Sequence, residues 1–154
     1  MENIFIALSN FPIIYPISVA VKNSDWITTG STILVGFFSF LSHLVENHKH
    51  SMRGLGASKL VSHYLNILDI IACFITGSRY LYITLKKYEM SFPKMLSKNF
   101  LLVCCYFLAF VIGRASEYDK YNPALKNFYI VTHSVWHILI FTLMGKTLDV
   151  IYQK

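Results

Sequence analysis

Five polar residues stand inside strongly apolar stretches of this sequence: Ser39, His43, Asp69, His133 and His137. Placing such groups in a membrane helix is costly unless they face the bundle interior and find partners there. Ser39 and His43 are four residues apart, as are His133 and His137. In a helix each pair therefore lies on one face and points the same way. Three neutral imidazoles converging at one depth make an open zinc site, His43, His133 and His137, with the fourth tetrahedral position left to water. Water held there ionises near neutral pH and becomes a nucleophile. Asp69 is placed to accept its proton as general base, and Ser39 to orient the water or donate to a developing oxyanion.

Simpler roles exist for the same residues. An i, i+4 histidine pair in a membrane helix also serves interhelical hydrogen bonds. A buried carboxylate at position 69 would also be satisfied by Arg79 or Arg114, or by staying protonated. Ser39 alone reads as a helix-packing residue. His48 and His50 belong to a polar loop, and His63 follows it closely enough to approach the site.

The elements that must carry these residues follow from composition. The 154 residues are 55% hydrophobic, 16% aromatic and 14% charged, well below the roughly 25% charged of a water-soluble domain. A hydrocarbon core about 30 Å thick takes about 20 apolar residues of helix. Five runs of that kind are present: about Ile4 to Val21, Trp26 to Val45, Lys59 to Leu85, Asn99 to Gly113 and Asn127 to Ile151. The fold class expected is all-α, a polytopic transmembrane helix bundle forming one integral membrane domain over residues 1–154. Five spans are the direct reading, and a break near Gly77 would make them six. Pro12 and Pro16 should kink the first span. That span has no basic leader and is too long for a signal-peptide core, so it reads as a membrane helix.

The short link from Lys22 to Asp25 makes the first two spans antiparallel neighbours. With alternating directions throughout, the end of the second span, the first half of the third and the start of the fifth fall in one leaflet. His43, Asp69 and His133 then share a depth.

The formal charge of +6 sits mostly in loops between apolar runs and forms no basic stripe, which argues against a nucleic-acid partner. Lys and Arg are balanced on the two sides, so the positive-inside rule does not set orientation. Cys73, Cys104 and Cys105 lie in apolar stretches without Cys-x-x-Cys spacing and read as packing residues. Tyr80, Tyr82, Tyr88, Tyr118, Tyr121 and Tyr129 fall near helix ends, as in an aromatic belt. Nothing in the pattern sets an oligomeric state.

Three motifs in order carry a family resemblance. Phe38 to His43 (FSFLSH) resembles the Ser-x-x-x-His helix of the CREST superfamily of membrane proteins, which groups alkaline ceramidases, progestin and adipoQ receptors, GPI-remodelling hydrolases and myomaker-like proteins. Leu68 to Ile71 (LDII) resembles its Leu-Asp helix, and Thr132 to His137 (THSVWH) its closing His-x-x-x-His. The resemblance implies Zn2+ on His43, His133 and His137, with Asp69 and Ser39 beside the metal-bound water. It implies hydrolysis of an amide or ester bond in a membrane lipid, ceramide-like or acyl-lipid, in an endomembrane (ER or Golgi) or the plasma membrane. The alternative is a noncatalytic membrane protein whose zinc ties helices together, acting in fusion, signalling or scaffolding. Seven helices are usual in the superfamily, so this chain would be a shortened member.

Overall fold

The computed structural model describes residues 2–45 and 55–153. Glu46, His48, His50, Arg53 and Gly54 of the polar loop lie outside the described residues. Within them the chain is helical: α1 (Glu2–Leu8), α2 (Ile14–Lys22), α3 (Trp26–Val45), α4 (Lys59–Lys87), α5 (Phe92–Lys98), α6 (Phe100–Tyr121) and α7 (Lys126–Tyr152). Among the described residues five segments are long and apolar enough to cross a membrane: Asn3–Lys22, Trp26–Val45, Lys59–Lys87, Phe100–Lys120 and Asn127–Tyr152.

The first span is broken where proline chemistry requires it. Pro12 lacks an N–H and its ring cannot sit against the preceding turn, so the chain passes from α1 through a 3₁₀ turn, Phe11–Ile13, into α2. Gly77 does not break the third span. No neighbour crowds it, and α4 runs unbroken for 29 residues; one glycine costs an otherwise well-formed helix only about 1 kcal/mol.

Two boundaries differ from expectation. The fourth helix continues past Gly113 and Arg114 to Tyr121, because Arg114, Ala115 and Glu117 favour helix and the first strong stop is the Asn122–Pro123 pair. The loop before it contains α5, whose start bears Ser91 as N-cap, accepting from Lys94 N, and Pro93 in the first turn.

α3 packs along α4 and α6 along α7, while α1 and α2 lie across α3 and α7. Ile13, Ala20, Val35, Ala72, Phe141 and Leu148 form the centre of the packed core. Many large apolar side chains face outward, among them Phe74 and Leu101, both 77% exposed. A surface of that kind suits lipid, where every backbone polar group is satisfied inside its own helix. Tyr82 and Tyr118 are on that outer surface as belt residues should be. Tyr80 and Tyr129 are buried instead, because Tyr80 turns its hydroxyl to Thr32 Oγ1 (3.3 Å) and Tyr129 packs against the His133 ring.

Close packing of α6 on α7 depends on Gly113. A Cβ there would fall 2.7 Å from Trp136 Nε1. The missing side chain lets α6 approach α7 level with His133 and His137.

A candidate metal centre at the end of an apolar cavity

α3 delivers Ser39 and His43 and α7 delivers His133 and His137, all four buried. The ligand-capable atoms of His43, His133 and His137 lie within 4.8 Å of one another. His133 Nε2 is 3.2 Å from His43 Nε2, and the three ring centroids are 4.6 to 4.9 Å apart. Two nitrogens on a tetrahedral zinc, each about 2.05 Å from the metal, stand roughly 3.3 Å from one another. The triad therefore has the spacing to hold a metal ion.

The protons around the triad point to a cation. Ser116 Oγ donates to Gly113 O (2.7 Å), so it accepts from His133 Nδ1 (3.0 Å). Ser9 Oγ donates to Ile6 O (2.6 Å) and accepts from His137 Nδ1 (2.8 Å). Each serine hydroxyl has one proton, and each spends it on a backbone carbonyl. Both imidazoles are thereby held as Nδ1–H tautomers, and His133 Nε2 faces His43 Nε2. His137 Nε2 is buried without a hydrogen-bond partner. A lone pair in that position lacks a donor, and a metal ion satisfies it. Hydrogen bonds at the outer nitrogen are how metal-ligating imidazoles are usually oriented.

Neither serine is marked by the sequence. Ser9 reaches His137 because the chain breaks just after α1, and Ser116 reaches His133 because α6 runs on past Gly113. His63 is not part of the cluster; its exposed ring lies beside Tyr64, centroids 6.0 Å apart.

Asp69 and Ser39 are linked to the cluster through a shared cavity. Both line a cavity of about 430 Å³ that also touches His137, a volume typical of small-ligand sites. Asp69 Oδ1 accepts a weak bond from Cys73 Sγ (3.7 Å). Cys73 is thus a cavity residue, and it and Cys104 are exposed rather than packed in the core. From Ser39, Asp69 and His137 the cavity runs between α4, α6 and α7 as far as Ile151 and Met95.

Its wall is apolar in effect although tyrosines and threonines line it. Tyr106 bonds Thr147 (2.8 Å), Thr76 donates to Ser31 O (2.8 Å), Thr84 to Tyr80 O (2.7 Å), and Tyr88 to Asn99 Oδ1 (3.1 Å). With each hydroxyl partnered, the wall presents mainly hydrocarbon.

Arg79 does not partner Asp69. It binds Asp25 through Nη2 (2.9 and 3.0 Å) and Thr28 Oγ1 through Nε (2.9 Å). Asp25 also caps α3, accepting from Thr28 N (3.0 Å), and receives Tyr152 OH (2.6 Å). Burial works to raise the Asp25 carboxyl, but the bonds from Thr28, Tyr152 and Arg79 outweigh it and hold it well below the usual carboxylate range. Arg114 is exposed.

An uncharacterized protein of Acanthamoeba polyphaga mimivirus is 40% identical to this chain over 144 residues, covering 94% of each sequence. No protein-family model matches the chain. No solved structure matches it either.

Proposed function

We propose that this chain, which belongs to the same family as that mimivirus protein, is a zinc-dependent hydrolase that cleaves an amide or ester bond of a membrane lipid within the bilayer. The observation that carries this reading is the apolar cavity ending on His137, Ser39 and Asp69. A lipid tail fits such a wall, and its polar linkage would then lie beside the imidazoles. The three motifs shared in kind with the CREST superfamily support the same assignment, as do five spans apolar enough to cross a membrane; residence in an endomembrane or the plasma membrane is part of the proposal.

Zinc suits a neutral all-imidazole donor set with a fourth position open. When bound it supplies a Lewis acid and a water ionised near neutral pH. The protein's own groups do the rest. Asp69 takes the proton of the attacking water and returns it to the leaving amine or alkoxide as the C–N or C–O bond breaks. Ser39 donates to the carbonyl oxygen as negative charge develops on it. Ser116 and Ser9 keep the imidazoles in their ligating tautomer. The cavity wall holds the acyl chain and excludes bulk water.

The test is zinc content in the detergent-purified protein beside His133→Ala and His137→Ala, with hydrolysis of ceramide and acyl-ester lipids assayed on the same samples. About one zinc per chain, lost in both variants together with turnover, is expected. Asp69→Asn should keep the zinc and lose turnover by roughly 100-fold or more. A protein that neither contains zinc nor can be loaded with it sinks the mechanism. A second reading, a noncatalytic zinc tying α3 to α7, is favoured by the burial of His137, 1% exposed. Zinc without turnover on either lipid class would select it.

A further inference from the structure

The end of the cavity remote from the histidines is bordered by α5. α5 has one buried residue, Met95 (7% exposed), and Met95 lines the cavity. Beside it Tyr88 OH donates to Asn99 Oδ1 (3.1 Å), and Asn99 Nδ2 donates back to Met95 O (3.0 Å). These bonds pin the two ends of the segment that carries α5. Lys94 meanwhile pairs with Glu89 (2.8 Å) on the exposed side. The short helix thus lies as a floor against the cavity, with Lys94 and Phe92 exposed outside and the flexible apolar side chain of Met95 inside.

The distance from the polar end to this floor can be read from the helix that lines its length. His137 and Ile151 both border the cavity. At 1.5 Å per residue they are about 21 Å apart along α7. Asp69 and Thr84, also on the wall, are about 22 Å apart along α4 by the same rise. A fully staggered hydrocarbon chain advancing roughly 1.3 Å per carbon fills that length with about sixteen carbons.

We infer that α5 is an acyl-chain ruler: Met95, backed by the Tyr88–Asn99 hydrogen bond, sets the longest chain that the cavity accepts, near sixteen to eighteen carbons. The inference rests on the hydrolase reading for the chemistry at the other end, but chain-length selection is a property of binding and is measurable without turnover. Below the limit each added methylene buries more apolar surface. Beyond it a longer chain must fold back, displace Met95 or leave its head short of Ser39 and Asp69.

The experiment uses the full chain in lipid nanodiscs or mild detergent, titrated with free fatty acids of roughly twelve to twenty-two carbons. Lipid hydrolysis is assayed in parallel for the same chain lengths. Affinity should rise about two- to fourfold per methylene up to the limit and then fall or level off. Met95→Ala should move the limit longer by about two carbons, and Met95→Trp shorter by a similar amount, as a side chain of a few heavy atoms is removed or added. Met95→Leu, close to Met in volume, should leave it in place and shows that the site tolerates exchange. Affinity that climbs through the longest chain, or a limit that none of the Met95 variants moves, overturns the ruler. Hydrolysis without any chain-length limit sinks the ruler and keeps the hydrolase. A limit that moves with Met95 in a protein without turnover keeps the ruler and sinks the hydrolase.

Discussion

Ser9 and Ser116 are the least conspicuous residues of the site and the ones that decide the state of its imidazoles. Each accepts from an Nδ1 only because its own proton is committed to a carbonyl, Ile6 O or Gly113 O. Ser116→Ala and Ser9→Ala should each weaken zinc binding by about 10- to 100-fold while leaving helix content intact, read by competition with a chelator of known affinity. Unchanged affinity in both would mean that the rings are fixed by packing alone. The histidines themselves were legible in the sequence, since a spacing of four puts His133 and His137 on one face of any helix. The serines were not, because a single hydroxyl in an apolar helix carries no signal of its partner. The alternative in which Arg79 satisfies Asp69 fails for a plain geometric reason: ten residues along one helix put them about 15 Å apart. Asp25, in the link before α3, is where Arg79 reaches.

Among the elements, α6 and α7 form the pair on which the site depends, and their contact turns on Gly113. Gly113→Ala brings a methyl against the Trp136 indole, which lines the cavity. That substitution should lower stability by about 1–3 kcal/mol in a reversible denaturation assay and weaken zinc binding by drawing Ser116 away from His133. A variant with parental stability and affinity would show that Trp136 swings aside freely. Span number and type were readable because runs of about 20 apolar residues have few alternatives. The end of α6 was misjudged because Arg114, Glu117 and Lys120 read as loop, whereas charge does not stop a helix and Pro123 does. α5 was missed although Ser91 and Pro93 mark its start, since seven residues give too short a pattern to stand out against a charged loop.

At the scale of the whole molecule, two fastenings hold α3 to α7. One is the imidazole cluster, and the other is Asp25, which gathers α3, α4 through Arg79 and α7 through Tyr152. The Asp25 carboxyl is held below its ordinary value of 3.8 in the folded protein. A lowered folded-state value means that its stabilising effect is complete above the ordinary carboxylate range and is lost as pH falls through and below it. Thermal unfolding midpoints of Asp25→Asn should therefore lie below the parent at neutral pH, with the gap closing under acid conditions below about pH 4. A gap that does not change with pH would assign the loss to helix capping alone. The fastenings sit at opposite ends of α3, since Asp25 precedes its first residue and His43 is near its last. A bundle pinned at two ends by unlike chemistry behaves as a hinge when either pin is drawn. With the imidazole cluster broken, as in His43→Ala, α1 and the first turns of α7 would swing while the Asp25 end stays closed. Backbone amides around Tyr129 should then exchange with solvent long before those around Leu148.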